Sequence, residues 1–361
     1  MKPSHSQAQT PPTWALVSAF AALYISWGTT YLAIKKGVRE EHLPPGRTQV
    51  AVDWATRIEA GALGTPRGQV LAGLHALDYD SAVLAGSVAA AAGLEGVSLG
   101  FMGAMTDRNY VDFRVEQGQL IKLPRSVPRS YLRVVESTAG LIEGYRQAGK
   151  PRPALHALGV GTPILVPLLG LMSGGEPYFA MDSTSPIVDG WSSPTISLYV
   201  DEPAPFKYKA YKIAGAWIRG ERGWDCQCFD CQAFHAAHPP RVAEARRWWE
   251  REGRPKIRKE MLERDGALST FLPLLAYPAD DALRREASLA RVGHNHGVLR
   301  RLERAVRDRA DDPQALDRWV GALVNEYRSA SRSPAWAAAV EIAYRLARRV
   351  ALTAANKEGQ P

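Results

Sequence analysis

Cys226, Cys228 and Cys231 are the only cysteines of this chain, and they stand in one short run, Trp224-Asp-Cys-Gln-Cys-Phe-Asp-Cys. A secreted disulfide framework spreads an even number of cysteines along a small domain, and this pattern does neither. C-x-C-x2-C is instead the spacing of a metal knuckle, in which one turn of backbone offers three thiolates to a tetrahedral Zn2+. The fourth ligand must come from elsewhere, most naturally from a histidine. By spacing, His235 and His238, four and seven residues after Cys231, both qualify. Three thiolates and an imidazole leave no coordination position open, so the expected role is structural.

Two further patterns could carry chemistry. Asp182 ends an apolar run and opens the polar stretch Ser183-Thr184-Ser185. A carboxylate at the C-terminal end of a parallel strand sits where such sheets expose reactive groups. The plain alternative is that Asp182 caps the following turn, as Asp-Ser-Thr runs often do. From Arg241 to Lys259 the chain holds eight Lys/Arg against three Glu, with Trp248-Trp249 among them. Basic residues interleaved with aromatics suit a nucleic-acid backbone and splayed bases, through Arg246, Arg247, Trp248, Arg254 and Lys256. A solvated helix is the other reading of the same charges.

These groups need elements to position them. At 361 residues the chain is long enough for two domains or one large α/β domain with additions. A net charge of +8 and a pI near 9.4 favour polyanionic partners. Ten tryptophans and 46% apolar residues supply a full core and exclude global disorder. The pattern predicts a helix over 48–63, a strand over 69–75, a helix over 79–92 and a strand over 97–102. It continues with a helix over 127–147, a strand over 155–160, a helix over 164–172 and a strand over 178–181. Strands alternating with helices argue for βα units around a parallel sheet. The Tyr- and Ile-rich stretches 195–200 and 207–217 read as an antiparallel insertion before the cysteines, and the chain from Pro240 onward reads as helical.

The first residues differ. Trp14 to Ile34 is a run of 21 residues without a formal charge, followed by Lys35, Lys36 and Arg39. That length fits a membrane span whose basic end stays in the cytoplasm, and a buried soluble helix is the alternative. The run Leu23-Tyr-Ile-Ser-Trp-Gly-Thr-Thr-Tyr-Leu-Ala-Ile-Lys-Lys-Gly-Val resembles the first membrane helix of EamA-type drug/metabolite transporters. The expected location is cytoplasmic, with residues 14–34 as a tether to the inner face of the membrane.

Taken in order, His156-Ala-Leu-Gly-Val-Gly-Thr-Pro163, Tyr178-Phe-Ala-Met-Asp-Ser-Thr-Ser-Pro186, the C-x-C-x2-C run, and His294-Asn295 followed by Arg301-Leu302 resemble the C-terminal half of the tRNA-guanine transglycosylase family. Val97-Ser-Leu-Gly-Phe-Met-Gly103 and Val52-Asp-Trp-Ala-Thr-Arg57 add weaker matches, so the likeness spans roughly residues 48–310. It implies an α/β fold of the (β/α)8 TIM-barrel type, here incomplete, with a zinc-binding subdomain and a helical C-terminus. The segments are then 1–45, transporter-like; 46–220, partial barrel with its antiparallel insertion; 221–310, zinc subdomain with a basic insertion; and 311–361, helical extension. It also implies that His294 is the fourth zinc ligand, 63 residues after Cys231, and that Asp182 is the nucleophile. A carboxylate attacking C1′ would give a covalent ribosyl-enzyme that a second base displaces with net retention. Leu158, Gly159, Val160 and Gly161, with Gly100 and Phe101, would line the base pocket.

The expected partners are nucleic acid (tRNA or DNA), a 7-deazaguanine base and a second copy of the chain. The family's proton-handling aspartate, in an "SDSGGFQ" loop, has no counterpart here, nor has its second base-reading aspartate. In their place in the order stands the transporter-like segment, as a gene rearrangement or a faulty gene model would leave it. Ser-Thr-Ser-Pro follows Asp182 where the family carries "PTR", which points to a divergent branch acting on DNA. The competing class is a non-catalytic, zinc-containing nucleic-acid-binding remnant or fusion product.

Overall fold

The computed structural model describes residues 71–358 except 77, 117–118, 175–178, 192–195, 265 and 332, together with Val52, Asp53 and Thr56. Four short runs, β1 (Ala72–His75), β2 (Gly96–Gly100), β5 (Ala154–Leu158) and β6 (Phe179–Asp182), form one parallel sheet in the order β1-β2-β5-β6. Its register pairs Leu74 with Leu99, Ser98 with His156 and Leu158 with Asp182. Side chains alternate between faces along a strand, so the two faces differ sharply. One carries Ala72, Leu74, Val97, Leu99, Leu155, Ala157 and Phe179, all buried. The other carries Gly73, His75, Ser98, Gly100, His156, Leu158, Ala180 and Asp182, small or polar apart from Leu158 and mostly half-buried or exposed.

The apolar face packs into one core with α1 (Tyr79–Ala91), α3 (Arg129–Gln147) and α4 (Leu165–Ser173). Local chemistry sets α1 in place: Asp78 accepts from Ser81 N–H at 2.9 Å, and Ser81 Oγ accepts from Asp78 N–H at 3.2 Å, a reciprocal cap. The α1–α3 crossing is very close. A Cβ at Gly140 would lie 2.2 Å from the Tyr79 carbonyl oxygen, and one at Gly144 would lie 2.3 Å from that of Val83. Only glycine permits this approach. The short α2 (Met102–Met105) begins where the sequence pattern still reads strand, so β2 ends at Gly100.

An antiparallel pair, β3 (Tyr110–Glu116) and β4 (Gln119–Pro128), precedes α3. The sequence pattern above places no strands there, although the alternation Val111-Asp-Phe-Arg-Val115 carries a strand signal. β7 (Ser197–Val200) and β8 (Phe206–Lys209) form the expected antiparallel pair, but 207–217 is not all strand: α6 (Ala210–Ile218) begins at once. Ala210, Ala214, Gly215 and Ile218 are its buried residues, a spacing of four and a helical stripe that outweighs the local Tyr and Ile content.

A second core gathers α6, α7 (Phe229–Ala237), α8 (Val242–Arg251) and the irregular stretch 254–280. The long α9 (Asp281–Arg307) joins the two cores: Ala287 and Ala290 lie in the second, and Val298, Leu299, Leu302 and Val306 in the first. The two helices after α9 pack into the first core. α10 (Pro313–Ala330) buries Leu316, Val320 and Val324 in it, and α11 (Pro334–Glu358) buries Val340 and Ala343.

The molecule is thus mixed α/β, with a four-stranded parallel sheet and a helical C-terminal part, and the sheet is open among the described residues. No helix among them is long and apolar enough to cross a membrane; the run 14–34 lies outside them.

Candidate metal centre and an open polar sheet face

The cysteines bracket the start of α7. Cys228 is its N-cap, and its sulfur receives the Cys231 N–H at 3.5 Å, while Cys228 N–H points at the Cys226 sulfur at 3.5 Å. The N–H from Cys231 is among the bonds that favour the thiolate form of Cys228. His294 comes from the middle of α9, 2% exposed, with Trp224 edge-on to its ring at 5.1 Å. Its Nδ1 lies 3.3, 3.4 and 3.6 Å from the sulfurs of Cys226, Cys228 and Cys231, and all four donor atoms fall within 4.8 Å of one another. A tetrahedral ion bonded at about 2.3 Å to sulfur and about 2.0–2.1 Å to nitrogen requires sulfur–nitrogen separations of about 3.6 Å. The four residues therefore could hold a metal ion, compatible with zinc.

Electrostatics agree. Packing against Cys226 and Cys228 holds the Cys231 thiol far above its ordinary value, whereas bonds from Cys226 and Cys231 pull Cys228 far below. Three sulfurs this close cannot all ionise without a cation between them. Burial alone would lower the His294 pKa, but its bonds to Cys226 and Cys228 outweigh burial and push it up to about 9. A metal ion would displace that proton.

The second ring nitrogen fixes the tautomer. His294 Nε2 donates to the Tyr199 carbonyl in β7 at 2.7 Å, leaving the Nδ1 lone pair for the metal. The next residue, Asn295, is fully buried: its Oδ1 accepts from Tyr199 N–H at 2.9 Å and its Nδ2 donates to the Ser197 carbonyl at 3.0 Å. His294 and Asn295 thus grip both main-chain groups of Tyr199. Two helical turns on, Arg301 forms a bidentate pair with Asp201, just after β7, and Leu302 enters the core. Of the three candidate histidines, His294 alone joins the cysteines; His238 Nε2 meets Glu286 at 2.6 Å.

The same helix face reaches the segment after Asp182. In α5 (Ser185–Trp191), the Gly190 carbonyl accepts from Arg291 Nε at 2.7 Å. Arg291 is fully buried and also donates to the Leu274 and Ala276 carbonyls and to Ser288 Oγ. With carbonyls and no carboxylate around it, burial pulls its pKa down to about 9. Sequence reasoning does not single out Arg291, Tyr199 or a role for Asn295; the His-Asn pair was the available signal for Asn295.

Asp182 sits half-buried at the C-terminal end of β6, on the open polar face of the sheet. Its main-chain carbonyl accepts from Gly159 N–H at 2.7 Å, which joins the two loops expected to act together. The following turn is capped by Ser183, whose Oγ accepts from Ser185 N–H at 3.0 Å, and not by Asp182. Asp182 acts electrostatically on two histidines, His156 on β5 and His296 on α9, raising pKa values that burial lowers. Leu158 and Gly100 lie on the same open face, and Gly161 packs so closely on Ser183 and Ser185 that a Cβ there would clash. Val160 and Phe101 correct the expectation: both point into the first core, 0% and 1% exposed, and offer no side chain to a base.

The basic segment is also divided. Arg246 is exposed, with its Nε donating to the Ile218 carbonyl at the end of α6, while Trp248 is half-buried and packs against the second core. Arg247, Arg254 and Lys256 are exposed, and Arg254 lies over the Trp249 ring at 5.7 Å.

Fold and site together define a mixed α/β protein with a candidate Cys3His metal centre beside an open parallel sheet. Compared with family models, curated proteins and solved structures, the chain has no significant match.

Proposed function

We propose that this protein is a divergent relative of the tRNA-guanine transglycosylases, exchanging guanine for a 7-deazaguanine base in tRNA or DNA. The observation that carries the reading is the placement of Asp182, half-exposed at a parallel strand end. It is bonded through its backbone to the Gly159 loop and followed by a helix that α9 ties to the Cys3His cluster. The four strands correspond to half of a (β/α)8 barrel, their polar face to its interior.

In this reading the metal is a structural Zn2+ held by Cys226, Cys228, Cys231 and His294, fixing α7 and α9 beside the sheet. Asp182 Oδ attacks C1′ as the bond to guanine breaks, and the ribosyl ester is then displaced by the incoming base. Gly159 lets backbone approach the base edge, and Arg247, Arg254 and Lys256 meet phosphates. A denaturation-resistant complex should form when zinc-loaded protein is incubated with tRNA or DNA and a 7-deazaguanine base, and Asp182→Asn should abolish it. A complex that persists in Asp182→Asn removes the nucleophile assignment.

The exposed basic residues also suit the second reading, a zinc-stabilised nucleic-acid-binding protein without catalysis. Salt-sensitive binding by a wild-type protein that never forms the adduct would select it.

A further inference from the structure

We propose that His156 is the proton carrier of this exchange, giving a proton to the departing base and taking one from the incoming base; the inference rests on the reading of Asp182 above. The strand register is the first support. Ser98 is level with His156 and Leu158 is level with Asp182, so His156 and Asp182 leave neighbouring strands on the same open face. Two residues of rise and one strand spacing put their Cα positions about 8 Å apart, a gap suited to a base and its ribose.

The second support is the ring's orientation. Ser98 Oγ, itself buried, lies 2.9 Å from His156 Nδ1. With Nδ1 engaged, Nε2 is the nitrogen left to exchange a proton toward the face. Other ionisable groups approach the same region: His75 stands over Gly100 on β1, and His296 with Arg300 comes from α9. Burial lowers the His156 pKa from its ordinary value and Asp182 partly restores it, so the carboxylate supports the protonated ring. The third support is chemical need. Guanine leaves poorly as an anion, and the chain has no counterpart of the family's "SDSGGFQ" loop.

The steps balance. Asp182 Oδ bonds to C1′ while the C1′–N bond breaks, its electron pair passing to the base nitrogen, which takes the proton of the His156 imidazolium. The neutral imidazole then removes the N–H proton of the incoming base. That base's nitrogen bonds to C1′ as the C1′–O bond breaks and returns its pair to the Asp182 carboxylate. The imidazolium is restored, and no outside acid, base or oxidant is consumed.

The test uses the full zinc-loaded chain and two variants. His156→Gln keeps a hydrogen bond to Ser98 and should retain the fold and nucleic-acid affinity, yet slow adduct formation roughly 100-fold or more. In wild type, adduct formation should fall as pH rises through the His156 pKa, and that limb should vanish in His156→Gln. Independently of activity, NMR titration of the His156 ring should show a lower pKa in Asp182→Asn than in wild type. A His156→Gln protein with wild-type rate and pH profile, or a His156 titration indifferent to Asp182→Asn, overturns the inference and leaves the transglycosylase reading standing. Absence of any adduct in wild type overturns that reading and this one with it.

Discussion

Asn295 and His294 follow one another on α9 yet serve different partners: the imidazole serves the cysteines and the amide serves β7. Asn295→Ala should therefore leave the metal donors in place but strand the Tyr199 N–H and the Ser197 carbonyl, both buried, at roughly 1–3 kcal/mol each. Denaturant titration of the metal-loaded variant should show that loss with metal stoichiometry unchanged. Protonation adds a second expectation. His156, His235 and His296 all have pKa values lowered from 6.5, burial being the leading cause in each. Between the folded values and 6.5 the unfolded chain binds more protons, so stability rises with pH across that window. It is fully present above 6.5 and is lost on acidification. Melting curves from about pH 7.5 down to about pH 5.5, with metal content checked at each point, should show Tm falling; a flat profile would contradict the burial of these rings.

At the scale of elements, the α1–α3 crossing depends on residues with no side chain at the contact. Gly144→Val would push a methyl group into the Val83 backbone and should destabilise the protein by about 1–3 kcal/mol or more, whereas Leu84→Val, at an exposed site, should not. Thermal melts of the two variants decide the point. The βα order was readable because the strands that pack into the first core are short apolar runs bounded by turn residues. The α9 motif was readable because positions 294, 295, 301 and 302 fall on one helical face, so one strip of sequence records one surface. The α6 boundary was hidden because Tyr211, Ile213 and Trp217 suit a strand, and only the stripe of small residues behind them reveals a helix. Composition reports charge and aromaticity but not direction: Trp248 turns onto a core, while Arg246 stays exposed with one nitrogen on a carbonyl. Phe101 and Val160 misled in the opposite way, since a loop motif does not tell which neighbours turn inward.

Over the whole molecule, the two cores share α9 but differ in what sustains them. Trp217, Trp224, Trp248 and Trp249 belong to the second, beside the cysteines; Trp319 and Trp336 pack on the first. Removing the metal should release the second core preferentially, because three crowded sulfurs lose the charge that holds them together. Chelation followed by hydrogen exchange should expose β7, α7 and α8 while α1 and α3 keep their protection. Equal loss in both cores would show that the metal sustains the first core as well.

Because the imidazole of His294 is oriented by the carbonyl of residue 199 and not by a side chain, the ligand's alignment is insulated from genetic drift at that position. Any amino acid supplies the same oxygen. Proline would be penalised through the main chain as well, since it removes the N–H that Asn295 receives. The Tyr199 side chain serves the core instead: it is fully buried and donates to Asp189, so its replacement costs packing and that bond but leaves the carbonyl that holds the imidazole. Lineages diverging from this chain should retain the His-Asn pair and keep at 199 a side chain that fills the same buried space, whatever its identity.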